Sequence, residues 1–93
     1  MINNKKIDYL IHLPDLQFVK YCEDVFRINR GVYNIIDAWF YEKSITNIAS
    51  RRKIIIEFLT FLNKDCQKIK FGPGGVKNNL KNFWNTLKDS QVG

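Results

Sequence analysis

Few residues of this chain could do covalent or metal chemistry. His12 is the single histidine, so a histidine-built metal cluster is out of reach, and Cys22 and Cys66 lack the spacing of zinc ligands. Cys22 falls on the apolar side of a helical pattern and reads as a buried structural thiol. Cys66 stands among lysines, which would favour a thiolate, yet nothing near it resembles a general base. No serine sits in a nucleophile-elbow pattern. Carboxylates are scattered, apart from Glu23-Asp24 on a polar face beside Lys20 and Arg27. The inventory predicts no catalytic residue, no metal and no cofactor, and the expectation is that the chain is not an enzyme.

Three basic features are better suited to binding. Arg51-Arg52-Lys53 is the sharpest local run of charge. On a helix running from Ser44, Arg51 and Arg52 point into a broad apolar arc and Lys53 into the polar strip. The two arginines then either meet internal carboxylates, with Asp37 and Glu42 as the candidates, or emerge at the edge of the core toward a partner. A planar guanidinium fits carboxylate and phosphate alike. Further on, Lys77, Lys81 and Lys88 share one helical face beside Trp84, with Asn78, Asn82 and Asn85 on the next. Lysines can hold phosphates, asparagines can reach sugars or base edges, and an exposed tryptophan can stack a base. The same face would equally serve as the solvated side of an ordinary amphipathic helix. Between these features lies Gly72-Pro73-Gly74-Gly75, read as a loop in which Gly74 and Gly75 could offer N–H groups to an anion. It lacks the Gly-Lys-Ser/Thr ending of a phosphate loop and the dinucleotide fingerprint, and a plain loop explains it as well.

The distribution of charge points the same way. Fifteen Lys and Arg stand against nine Asp and Glu, for a net of +6. Residues 1–46 hold six of each sign, and residues 47–93 hold nine basic against three acidic, so the whole excess sits in the second half. Such asymmetry suits a polyanion, an acidic protein surface or anionic lipid as partner. Ile, Asn and Lys number 12, 10 and 11, and all three have AT-rich codons, which fits a low-GC bacterium or a phage or mobile element living in one. Hydrophobic residues at 45% and aromatics at 14% are enough to build a core, in one domain spanning residues 1–93. Two cysteines without paired spacing suit a reducing compartment, and the opening MINNKKIDYL has neither an apolar signal region nor a cleavage site. The expected location is therefore cytoplasmic. The densest apolar stretch, Ile54 to Leu62, is nine residues long, against the roughly 20 that a membrane span needs.

Periodicity supplies the elements that must position these residues. Pro14-Asp15 suits a first helical turn, and from there Phe18, Val19, Cys22, Val25 and Phe26 recur at helical spacing. Glu23 and Arg27 stand at i,i+4, and Asn29-Arg30-Gly31 is expected to close that helix with a left-handed glycine. Val32, Ile35, Ile36, Trp39 and Phe40 predict a second helix over about 32–43. Ser44 would cap a third, running to about Asn63, which is apolar over more than half its circumference and so must be central. Val76, Leu80, Phe83, Trp84 and Leu87 form the stripe of a last helix over 76–88. Residues 7–12 alternate like a strand, with 68–71 as the natural partner, although Ile7, Leu10 and Ile11 also suit one helical turn.

The expected fold is mainly α: a small four-helix domain around Ile54–Leu62, with residues 7–12 and 68–71 as candidates for a minor two-stranded β element. The expected function is a non-catalytic module that contacts RNA, DNA or a nucleoprotein through its basic second half. Its binding residues would be Arg51, Arg52, Lys53, Lys77, Lys81, Trp84 and Lys88, with Gly74 and Gly75 as a further anion contact. The alternative is a protein-binding inhibitor or adaptor, such as a phage or mobile-element protein of the anti-CRISPR kind. It would set the same cations against the acidic surface of a nucleic-acid-processing protein.

Overall fold

A computed structural model describes residues 4–65 and 73–92 as five α-helices: α1 (Asn4–Ile11), α2 (Asp15–Phe26), α3 (Arg30–Glu42), α4 (Ile48–Asp65) and α5 (Pro73–Val92). There is no strand among the described residues, and the count of helices is five rather than four. The first segment takes the helical option because helical spacing buries Leu10 and half-buries Ile7 and Ile11 on one side. Cys66 and the expected strand at 68–71 lie outside the described residues.

Helix α4 is the centre, packed against α1, α2, α3 and α5. Ile55, Ile56, Phe58, Leu59 and Leu62 are buried and Ile54 and Phe61 half-buried, so the isoleucine run is helical because it can be covered on several sides. Lys53, Glu57 and Thr60 form the exposed strip. An aromatic cluster ties α3 and α5 to this helix. The Phe40 ring centre lies 6.1 Å from Phe58, 6.3 Å from Phe83 and 6.2 Å from Trp84, and Phe83 lies 5.3 Å from Phe58 and 5.4 Å from Phe61. Most of these pairs are edge-to-face, the favoured geometry for rings with a quadrupole.

The helix ends differ from the sequence reading, each for a local reason. Helix α2 stops one turn early, with Arg27 in the left-handed region (φ 55°) and Ile28 turned into the core. Arg27 is thereby taken off the helical register that would have faced Glu23. Val25 on the supposed apolar face is exposed. Asn29-Arg30-Gly31 opens α3 instead of closing α2: the Asn29 side chain accepts from the Val32 N–H at 2.8 Å. Gly31 has an ordinary helical φ, and a Cβ there would meet the capping oxygen at 3.2 Å.

Ser44 likewise ends α3 rather than capping α4. It sits at φ 70°, its N–H donates to the Tyr41 carbonyl at 3.0 Å, and the Ile45 N–H reaches back to Phe40 at 3.2 Å. This is the paired bonding of a Schellman motif, with Ile45 brought against the core. Asn47 takes the capping role for α4, accepting from the Ser50 N–H at 3.0 Å. At the other end of the chain, Pro73, Gly74 and Gly75 are not a loop but the first turn of α5, where proline is tolerated because its missing N–H has no helical partner to lose.

Starting α4 at Ile48 puts Arg51 and Arg52 in or beside its first turn, where the helix dipole disfavours cations. Both are compensated internally. Arg51 Nε donates to Asp37 at 2.7 Å, its Nη1 reaches the Ile45 and Thr46 carbonyls at 3.1 Å each, and its guanidinium lies 5.4 Å over the Tyr41 ring. Arg52, only 6% exposed, donates to the carbonyls of Ile11 and Leu13 at 3.0 and 2.6 Å, pairs with Asp15 and lies 4.9 Å over Phe18. It thus binds the C-terminal end of α1 and the N-terminal turn of α2 to α4.

Two predictions follow from this core. Arg52→Ala leaves two carbonyls without a donor and should lower unfolding stability by about 3 kcal/mol in a denaturant titration. Asp15→Ala should cost less than about 1 kcal/mol, since that carboxylate is largely solvated; an Arg52→Ala variant as stable as the parent would contradict the role. The second concerns Cys22, which is fully buried: burial pushes its thiol from 9.0 up to about 12, with the Arg52 charge opposing. The folded state then holds a proton that the unfolded chain has lost, so stability is full below pH 9.0 and falls as pH rises toward about 12. Burial raises Tyr33 and Tyr21 in the same direction. Melting temperatures across that window should fall for the parent and fall less steeply for Cys22→Ala.

Candidate nucleic-acid interface

Helix α5 is fixed in rotation by what it buries. Val76, Leu80 and Phe83 are buried and Trp84 and Leu87 half-buried, all toward α3 and α4. That leaves Lys77, Lys81 and Lys88 exposed in one stripe with the partly exposed Trp84, and Asn78, Asn82 and Asn85 exposed beside them. Along the axis the lysines are separated by about 6 Å and about 10.5 Å, a spacing that lets each meet a different phosphate. Asn79 and Thr86 turn back on their own helix, donating to the Gly75 and Asn82 carbonyls at 2.9 and 3.0 Å. Among the described residues, the side chains of Asn78, Asn82 and Asn85 have no such bond and the three lysines have no ion pair. The sequence from 66 to 88 contains five lysines and no acidic residue, so no carboxylate within it neutralises this face.

Trp84 is held from behind. Its ring meets Trp39 edge-on at 5.7 Å, and Lys43 Nζ lies 4.8 Å from the Trp39 ring centre. In front of it runs a groove of about 170 Å³, lined by Ile45, Ile54, Trp84, Leu87 and Lys88. The groove exists because the Schellman turn at Ser44 sets Ile45 opposite α5. Sequence reasoning found Trp84 and Lys88 but missed Ile45, Trp39 and Lys43. The i,i+4 spacing of Trp39 and Lys43 on one helix was the available signal.

The arginines line a different depression, of about 210 Å³, together with Asp15, Tyr33 and Asp37. Of the two fates open to them, both pair with carboxylates of this same chain. Of the two candidates expected for the pair, Asp37 holds Arg51 and Glu42 pairs with neither arginine, while Asp15 on α2 holds Arg52. Burial, helped by the Asp37 carboxylate, keeps the Tyr33 phenol protonated well above its usual range. Lys53 is exposed on the polar strip of α4. Gly75 is half-buried in the first turn of α5, and Gly74 precedes it there. The structure thus groups Trp84 and Lys88 around one groove, continues their stripe through Lys81 and Lys77, and puts Arg51 and Arg52 elsewhere.

No described helix is long and apolar enough to cross a membrane. No family model matches the chain, and no solved structure matches it. The chain is similar to the RNA-binding riboflavin kinase RibR of Bacillus subtilis (strain 168), 47% identical over 92 residues, a stretch that takes in 89% of this chain and 40% of that protein. That relative is an enzyme, which overturns the expectation of a non-enzyme; this chain corresponds to part of it. A relative that binds RNA fits the expectation of a nucleic-acid partner, and the chain spans 40% of that relative's length.

Proposed function

We propose that this chain binds RNA, and that the lysine face of α5 is the surface that does so. The observation that carries this reading is the stripe of Lys77, Lys81 and Lys88, exposed, without an ion pair among the described residues, and within a stretch, residues 66–88, whose sequence has no acidic residue before Asp89. The similarity to an RNA-binding protein over nearly the whole of this chain supports it. Phosphates would lie along the stripe, with Asn78, Asn82 and Asn85 within reach of sugars and base edges. The N–H groups of Gly74 and Gly75, in the first turn of α5, and the Lys53 ammonium are further candidates for phosphate contact. Arg51 and Arg52 serve this function indirectly, since their guanidinium groups hold the helices together. The alternative of a protein-binding inhibitor draws no support from the relative.

Counterion release tests this. Each phosphate neutralised on a single strand contributes about −0.7 to the slope of log affinity against log salt. Replacing Lys77, Lys81 and Lys88 together by Ala should weaken RNA binding at every sequence and flatten the slope by about 2 units. As surface changes they should each alter stability by no more than about 0.5 kcal/mol. A folded triple variant that binds RNA with the parent's affinity and slope would remove α5 from the interface.

A further inference from the structure

We infer that the groove between α5 and the α3–α4 connection receives one unstacked base of a single-stranded RNA. The inference rests on the RNA-binding reading and goes beyond it by naming the form of the RNA and the place where it is gripped. The groove floor is apolar, made by Ile45, Ile54 and Leu87 with the Trp84 ring, while Lys88 stands in its wall. Lys81 precedes Trp84 by three residues and Lys88 follows it by four, so cations flank the ring along the same stripe. Lys43 adds a further positive charge beside Trp39, whose ring abuts Trp84.

An apolar slot fenced by ammonium groups asks for a ligand that is flat and apolar at one end and anionic at the other. A nucleotide with its base turned out is such a ligand, because the base can stack while the phosphates on either side meet Lys81 and Lys88. A duplex presents stacked bases and no free ring face, so it can use the lysines but not the slot. Trp84 is already fixed by Trp39 at 5.7 Å and Phe40 at 6.2 Å, so stacking a base on it orders nothing further in the protein.

The test compares a mixed-sequence single-stranded RNA oligonucleotide with its duplex at low salt, reading both anisotropy of labelled RNA and tryptophan emission. The single strand should bind roughly tenfold tighter than the duplex and alone should quench the tryptophans. Trp84→Leu should lose about tenfold in affinity for the single strand with the salt slope unchanged, and Trp84→Phe should retain most of it. Ile45→Phe, which fills the groove from a connection and leaves Trp84 in place, should lose as much as Trp84→Leu, so the inference stays testable if Trp84→Leu does not fold. Equal affinity for single strand and duplex, with Trp84→Leu and Ile45→Phe binding like the parent, would overturn the base slot while leaving the lysine surface standing. Absence of binding to both RNA forms would overturn the slot and the RNA-binding reading together.

Discussion

Helix α4 carries apolar side chains around most of its circumference, and water cannot be left against them without cost. At about 25 cal/mol per Å² of apolar surface, exposing even two or three such side chains would consume most of the stability of a small domain. The other four helices are arranged by that constraint. On one side α1 and α2 cover it, pinned by the Arg52 guanidinium, which satisfies carbonyls at the end of α1 and a carboxylate at the start of α2. On the other side α3 and α5 cover it through Phe40, Phe58 and Phe83. Because Phe83 and Trp84 are consecutive, docking the first into the cluster fixes the second at its edge. The rotation of α5, and with it the outward stripe of lysines, follows from packing rather than from charge.

The arginines of α4 and the lysines of α5 are therefore physically different. Arg51 and Arg52 sit at the N-terminal end of α4, against the dipole, and are neutralised by Asp37 and Asp15. Their planar, five-donor groups suit internal carbonyls and carboxylates, a task that lysine would do poorly. The lysines of α5 make no ion pair among the described residues, so their charge projects outward. Setting aside the two arginine–aspartate pairs leaves the net charge at +6, and the exposed lysines of α5 are part of the charge that can act on a distant polyanion.

Sequence pattern made part of this legible. Val76, Leu80, Phe83 and Leu87 gave the last helix and its lysine face, and the breadth of the apolar arc made α4 central. The misread pieces share one cause, that a local pattern had two readings and a distant partner chose between them. Ile7, Tyr9 and Ile11 alternate, but Leu10 is the residue that α4 buries along with helical neighbours. Asn29-Arg30-Gly31 resembles a helix end, yet Asn29 finds its donor downstream, at Val32. Ser44 resembles a cap and instead takes a left-handed turn whose bonds close the preceding helix. Arg52 reaches Ile11 and Leu13 some forty positions away along the chain, a partner no window could reveal. The groove draws Ile45, Ile54 and Trp84 from three segments and was invisible for the same reason.

The proposed interface would be located most directly by backbone amide NMR during titration with RNA. The α5 account predicts that shifts concentrate on residues 77–88 and around Ile45, with α1 and the arginine depression beside Asp15 and Tyr33 nearly unmoved. Shifts concentrated on α1, α2 or the Arg51–Arg52 depression, with α5 silent, would contradict it.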